Sequence, residues 1–133
     1  MPRMLLALAL AALLLGGCGR GSDRATARAV TDRFFAALGA GDGARACALL
    51  SQDTRSKLES QEQKPCAEAI GGLGLKGAPV AGVDVDVVKA VVRLADGEAA
   101  FLDEGRQGWQ LSAVGCKAQG TRNEHPYDCE VED

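Results

Sequence analysis

The stretch VDVDVVKAVVRLADGEAAFLDEGRQGWQLSAVGC, residues 83–116, decides the fold. It opens on strict alternation. Val83, Val85 and Val87 point to one face and Asp84 and Asp86 to the other, the period-two pattern of a half-buried strand. AVVRLAD (90–96) and EAAFLDE (98–104) follow, separated at Asp96-Gly97, a strong hairpin signal because both residues tolerate the backbone of a tight turn. Arg106-Gln107-Gly108 then leads into WQLSAVGC (109–116), a further strand. The stretch predicts an antiparallel meander.

Upstream, the period changes from two to that of a helix. In SDRATARAVTDRFFAALGAGD (22–42), Val30, Phe34, Ala37 and Leu38 recur on one side, with Phe35 widening the stripe. Arg24, Arg28, Asp32 and Arg33 lie off it. Ser22 or Asp23 can cap this helix, and Gly39 and Gly41 stop it. Asp42 can cap a second helix, GARACALL (43–50), with Ala46, Cys47 and Leu50 sharing a face. Ser51 or Asp53 caps a third, TRSKLESQE (54–62). Pro65 suits the first turn of a fourth, CAEAIGGL (66–73). Helices first and strands afterwards argue an α+β domain, with N-terminal helices packed on an antiparallel sheet. The last stretch, KAQGTRNEHPYDCEVED (117–133), reads as a polar, turn-rich tail.

The first seventeen residues read as an address. Arg3 supplies a positive start, and Met4–Leu15 is an unbroken apolar run of twelve residues. A membrane-spanning helix needs about 20, so the run suits a secretory signal peptide that is removed. It ends in Leu15-Gly16-Gly17-Cys18, which resembles the bacterial lipobox: a leucine, two small residues and a cysteine. The resemblance implies that the Cys18 thiol receives a diacylglyceryl group and that cleavage makes Cys18 the new N-terminus. Two acyl chains suffice for stable anchoring. The expected organisation is a signal peptide over 1–17, a lipidated tether over 18–22 and one domain over 23–133.

That reading divides the five cysteines. Lipidation takes Cys18 out of the pool and leaves Cys47, Cys66, Cys116 and Cys129. Export would place them where disulfides persist. Three pairings are possible. Loop-closure energy does not choose among them, but locality along the chain favours Cys47–Cys66 and Cys116–Cys129. The absence of C-x-x-C and the single histidine, His125, argue against a zinc site or a redox dithiol.

The whole chain has 133 residues and a formal net charge of −3. Loss of residues 1–17 removes Arg3 alone among the charged residues, leaving 14 basic against 18 acidic side chains and a net of −4. Neither balance offers a basic field for nucleic acid. No phosphate-binding loop G-x-x-x-x-G-K-[ST] is present, and one terminal histidine supports no Ser-His-Asp arrangement. Asp84 and Asp86 read as a solvated sheet face, and Asp103 and Glu104 as surface charges at a strand end. Tyr127 reads as a packing anchor for the tail and His125 as an exposed turn residue. Phe34, Phe35, Phe101 and Trp109 are expected to form the aromatic part of the helix–sheet interface. No catalytic residue, metal ligand or cofactor is assigned.

Three segments carry a family resemblance: FFAALGAGDGARACALLSQDTRSKL (34–58), AAFLDEGRQGWQLSAVGC (99–116) and PYDCEVED (126–133). Together they resemble small secreted or lipid-anchored actinobacterial proteins of the nuclear-transport-factor-2-like (cystatin-like) superfamily. The resemblance covers residues 23–133. It implies a cone, with a long first helix lying across a curved antiparallel sheet, and it carries over no catalytic residue. The expected function is that of a non-enzymatic envelope accessory or binding module. Diacylglyceryl-Cys18 would hold it to the bilayer at the extracytoplasmic face of the cell membrane, with an envelope protein or a small ligand as partner. The alternative is a pocket enzyme or small-molecule carrier on the same fold, which would need an open interior holding a buried acid.

Overall fold

The structure, a computed structural model, describes residues 19–120 and 126–133. The expectations for residues 1–17, for Cys18 and for His125 lie outside the described residues. Four helices come first: α1 Arg20–Gly39, α2 Gly43–Ala48, α3 Gln52–Glu62 and α4 Cys66–Gly72. Five strands follow: β1 Val80–Asp86, β2 Lys89–Leu94, β3 Ala99–Gly105, β4 Gly108–Ala118 and β5 Tyr127–Glu132. They pair antiparallel in the order β1-β2-β3-β4-β5, a meander that stays open at β1 and β5. The helices pack against one face of this sheet, so the fold is α+β.

Local chemistry sets the helix boundaries. The Asp42 carboxylate accepts a hydrogen bond from the Arg45 amide at 3.0 Å, and the Ser51 hydroxyl accepts one from the Thr54 amide at 3.2 Å. Each satisfies a donor that the first helical turn leaves free. The first helix differs from the expectation. It begins at Arg20 with Gly19 as its uncapped N-terminal flank, so Ser22 and Asp23 lie inside its first turn. Arg20–Ser22 therefore belong to the helix and not to a tether.

α1 crosses β1, β2 and β4, while α3 leans on β4 and β5 and the short α2 and α4 pack on each other. Phe34, Leu50, Leu58, Ile70, Val92, Leu102, Leu111, Val114 and Val131 fill the space between the layers and are fully buried. The buried polar side chains among the described residues are Thr31, Thr54 and Ser112, and none of them ionises. Cys47 is bonded to Cys66, tying α2 to α4, and Cys116 to Cys129, tying β4 to β5.

The start of α2 is packed to backbone contact. A Cβ on Gly43 would land on the carbonyl group of Ala67, at the second residue of α4. Gly43→Ala is therefore expected to cost about 2 kcal/mol through overpacking against main chain that cannot swing aside. A urea titration reads this as a lower midpoint. Gly39→Ala, where an added methyl meets nothing within 4 Å, should show no such loss.

β4 carries the irregularity that shapes the sheet. Between Ala99 and Phe101 of β3 its partner position runs from Cys116 to Ala113, and between Phe101 and Leu102 from Ala113 to Leu111. Each interval holds one residue more on β4 than on β3, the definition of a bulge, which bends and twists a strand. Gly115, with φ +66°, sits in the first. At the second, the buried Thr54 hydroxyl donates to the Ser112 carbonyl at 3.1 Å. Below the bulges β5 no longer covers β4. The segment after α2 takes its place: Leu50 bridges Leu111, with Ser51 N–H donating to the Leu111 carbonyl and Leu111 N–H to the Leu49 carbonyl.

Three expectations are corrected. Val87 does not share the inward face with Val83 and Val85. β1 ends at Asp86, which pairs with Lys89, so Val87 and Val88 are the two residues of a hairpin turn. Phe101 does not join the helix–sheet interface, because Ala100 and Leu102 take the inward positions of β3 and leave Phe101 on the opposite face. The tail is not all turn: Tyr127–Glu132 form β5, paired along β4.

Candidate functional site

Alternation along β2 and β3 builds a second, smaller apolar cluster on the face turned away from the helices. Ala90, Val92 and Leu94 point into the main core, and so Lys89, Val91 and Arg93 point out. Ala99, Phe101 and Asp103 do the same on β3. The bulges in β4 bring Ala113 and Cys116 to this outer face although Leu111 and Val114 face inward. Val91, Phe101, Tyr127 and Cys129 complete the cluster around Ala99, Ala113 and Cys116. The Phe101 and Tyr127 rings meet edge to face, with centroids 5.1 Å apart, an arrangement that aligns the positive edge of one ring with the negative face of the other.

A groove of about 390 Å³ lies over this cluster, with Phe101, Tyr127 and Ala113 on its apolar side. Its polar side is Lys89 with Asp103, Glu132 and Asp133. A neighbouring hollow of about 280 Å³ shares Lys89, Ala90 and Phe101 and reaches Asp84 and Asp86. The open face thus offers an aromatic floor and a rim with more acidic than basic side chains. Two cross-strand ion pairs hold the rim: Lys89 Nζ to Asp103 Oδ1 at 2.9 Å, and Arg93 to Asp84 at 2.6 Å. Both are solvent-exposed, so they order the surface more than they stabilise the fold.

Asp103 holds the Lys89 ammonium above the ordinary lysine value of 10.5, first by accepting its hydrogen bond and then by its charge. The sign follows from linkage. A lysine whose folded pKa is raised contributes fully below the unfolded value, and the contribution is lost as pH rises through the folded one, here above 10.5. Asp103→Asn is expected to lower the Lys89 midpoint towards 10.5, as read by NMR titration of the lysine Cε and Hε resonances.

Cys47 and Cys66 lie on the helical side, whereas Cys116 and Cys129 sit under the open-face groove. Asp84, Asp103 and Tyr127 converge on that face as well, which residue type alone did not indicate. Phe101 and Lys89 were missed as site residues. The signal that could have found them is the alternation of Ala99-Phe101-Asp103 against Ala100-Leu102, counted together with the opposing Lys89-Val91-Arg93. Trp109 is buried, and its indole N–H points to Asp23 of α1 at 3.4 Å. Among the described residues, no cluster of three or more His, Cys, Asp or Glu side chains could hold a metal ion. Among them also, no helix is long and apolar enough to cross a membrane.

No family model, curated protein or solved structure matches this chain.

Proposed function

We propose that this protein is a lipid-anchored binding module of the bacterial envelope, held at the extracytoplasmic face of the cell membrane by diacylglyceryl-Cys18, and that the open face of its sheet is the surface it offers to a partner. The observation that carries the binding role is the groove over Phe101 and Tyr127, an apolar, aromatic recess left uncovered on one side of the sheet. Aromatic side chains of this kind supply much of the energy of protein recognition when a partner excludes water from them. The two disulfides fit an oxidising compartment, and the lipobox-like Leu15-Gly16-Gly17-Cys18 supports the anchor. Tethering raises the local concentration of the module near other membrane components, which lets a modest groove bind effectively.

The pocket-enzyme reading draws less support. The space between helices and sheet is occupied by large apolar side chains, and no ionisable group among the described residues is buried there. Kinship with the nuclear-transport-factor-2-like superfamily remains part of this proposal, resting on the three segments quoted above.

Two measurements test the reading. Mass spectrometry of protein from its native membrane should find diacylglyceryl-Cys18 at the mature N-terminus, and an unmodified chain would remove the anchor from the proposal. A photoreactive phenylalanine derivative at position 101 of the full chain should crosslink to an envelope component in intact cells, with Cys18→Ala lowering the yield. A reporter at exposed Glu62, on the helical side, giving the same products as position 101 would overturn the open face as the binding surface.

A further inference from the structure

The hairpin turn between β1 and β2 is built from residues that turn chemistry does not favour. Val87 has φ 54°, a left-handed conformation that is a true outlier for a β-branched residue, where glycine would be at ease. Val87 is 76% exposed and Val88 48%, and these are the exposed large apolar side chains of the described residues. Neither belongs to either apolar cluster, so the core gives no reason for two valines here.

Their place in the fold gives one. In a meander the turns alternate between the two ends of the sheet. Val87–Val88 and Arg106–Gln107 are at one end, and the turn containing Asp96 and Gly97 is at the other. The Glu104 amide donates to the Val88 carbonyl at 2.7 Å, and Glu104 is paired with Trp109. The Trp109 indole in turn meets Asp23, in the first turn of α1. Further along α1, Arg28 reaches the Val80 carbonyl at the far end of β1, and Phe35 abuts Gly77. The helix therefore runs away from the valine end, and its N-terminus emerges at the same end of the sheet as the valine turn. Only Gly19 separates Cys18 from the helix in sequence. One or two residues of extended chain span about 7 Å, so acyl chains on Cys18 would bring this end of the domain against the bilayer.

We infer that Val87–Val88 is a second membrane contact, an apolar tip that enters the interfacial layer of the bilayer beside the anchor and sets the domain upright. The inference rests on the lipidation of Cys18 proposed above. The two acyl chains supply the retention, and the valines add a fixed second point that prevents the domain from swivelling. The opposite end of the sheet, with Asp96, is then held away from the membrane, and the open-face groove, whose Lys89 and Asp103 lie next to the valine turn, opens sideways just above the bilayer surface.

Tryptophan quenching tests this on the full lipidated protein in a Trp109→Phe background, which removes the native emission, reconstituted in phosphatidylcholine vesicles with and without brominated acyl chains. A Val88→Trp reporter should lose emission about twofold in brominated vesicles, as expected for a side chain in the acyl boundary, while an Ala95→Trp reporter at the opposite turn should be unaffected. Gln107→Trp on the adjoining hairpin reads the same end should Val88→Trp fold poorly. Its quenching should fall when the tip is made polar by Val87→Gly with Val88→Asn, a pair that suits a turn whose first central residue alone has positive φ. Equal, weak quenching at Val88 and Ala95 in protein whose Cys18 is acylated by mass spectrometry would overturn the inference and leave the anchor standing. A blue-shifted but unquenched Val88→Trp would overturn it too, by showing a protein surface or a second copy over the tip. A chain without acyl groups on Cys18 would remove the anchor and this contact together.

Discussion

Phe34→Ala is expected to destabilise the domain by about 3–5 kcal/mol, the range for truncating a buried aromatic residue. Phe34 is 0% exposed and sits in the C-terminal third of α1, the helix that packs on β1, β2 and β4. Its ring also meets that of Phe35 edge to face at 5.1 Å. The lost term is transfer of the ring out of water, and to it is added the cavity left behind. That cavity would lie between the helix and the sheet it packs on, where tight packing lets little collapse relieve it. With a total stability of roughly 5–15 kcal/mol for domains of this kind, the variant should unfold at a much lower urea concentration with an unchanged slope. Phe101→Ala is the internal contrast. Its ring is only partly buried, on the open face, so its loss should cost about 1 kcal/mol. Equal losses for the two would contradict the assignment of Phe34 to the core and Phe101 to the surface cluster.

The second large effect is expected on removing the Cys47–Cys66 bridge as the double variant Cys47→Ala with Cys66→Ala. The bridge closes a loop with a sequence separation of 19, for which the chain-entropy relation gives about 3 kcal/mol. The Cys116–Cys129 bridge, with a separation of 13, gives nearly the same figure by that relation. The structural consequences should nevertheless differ. β4 and β5 remain paired by their own ladder after the second bridge is lost. α2 and α4 are each under two turns long, far too short to persist alone, and the disulfide is their covalent link. Hydrogen exchange should therefore show α4 opening locally when Cys47–Cys66 is absent, and only modest change in β5 when Cys116–Cys129 is absent. Uniform loss of protection in both variants would contradict this division.

Much of the fold was legible because local rules and the global fold agree. Asp42 and Ser51 cap the helices that they were expected to cap, Asp96-Gly97 turns the β2–β3 hairpin, and the change of period after Pro79 marks the passage from helices to sheet. What escaped has a physical reason in each case. The bulges in β4 break strict alternation, so WQLSAVGC looks like a regular strand although Ala113 and Cys116 reach the face opposite Leu111 and Val114. In β5, Tyr127, Cys129 and Val131 do alternate with acids, but the strand is short and surrounded by polar residues, and its pairing with β4 is what makes it a strand. Val87 has strong strand propensity and is nonetheless in a turn, because the Asp86–Lys89 register leaves only two residues to reverse the chain. The candidate site was the least legible part. No residue type announces it. It arises where bulges and pairing bring Phe101, Tyr127 and Lys89 from three strands to one face.

The sheet is open, and its two outermost strands bear charges of one sign. Asp84 and Asp86 lie on β1, and Asp128, Glu130 and Glu132 on β5. Unpaired strand edges are templates for zipping neighbouring chains together. If the chain is anchored as proposed, its copies would share two dimensions and meet more often than in free solution. Asp84 is already paired with Arg93, but Asp86 on one border and Asp128, Glu130 and Glu132 on the other would still meet as like charges, which disfavours extension of the open sheet from one molecule to the next.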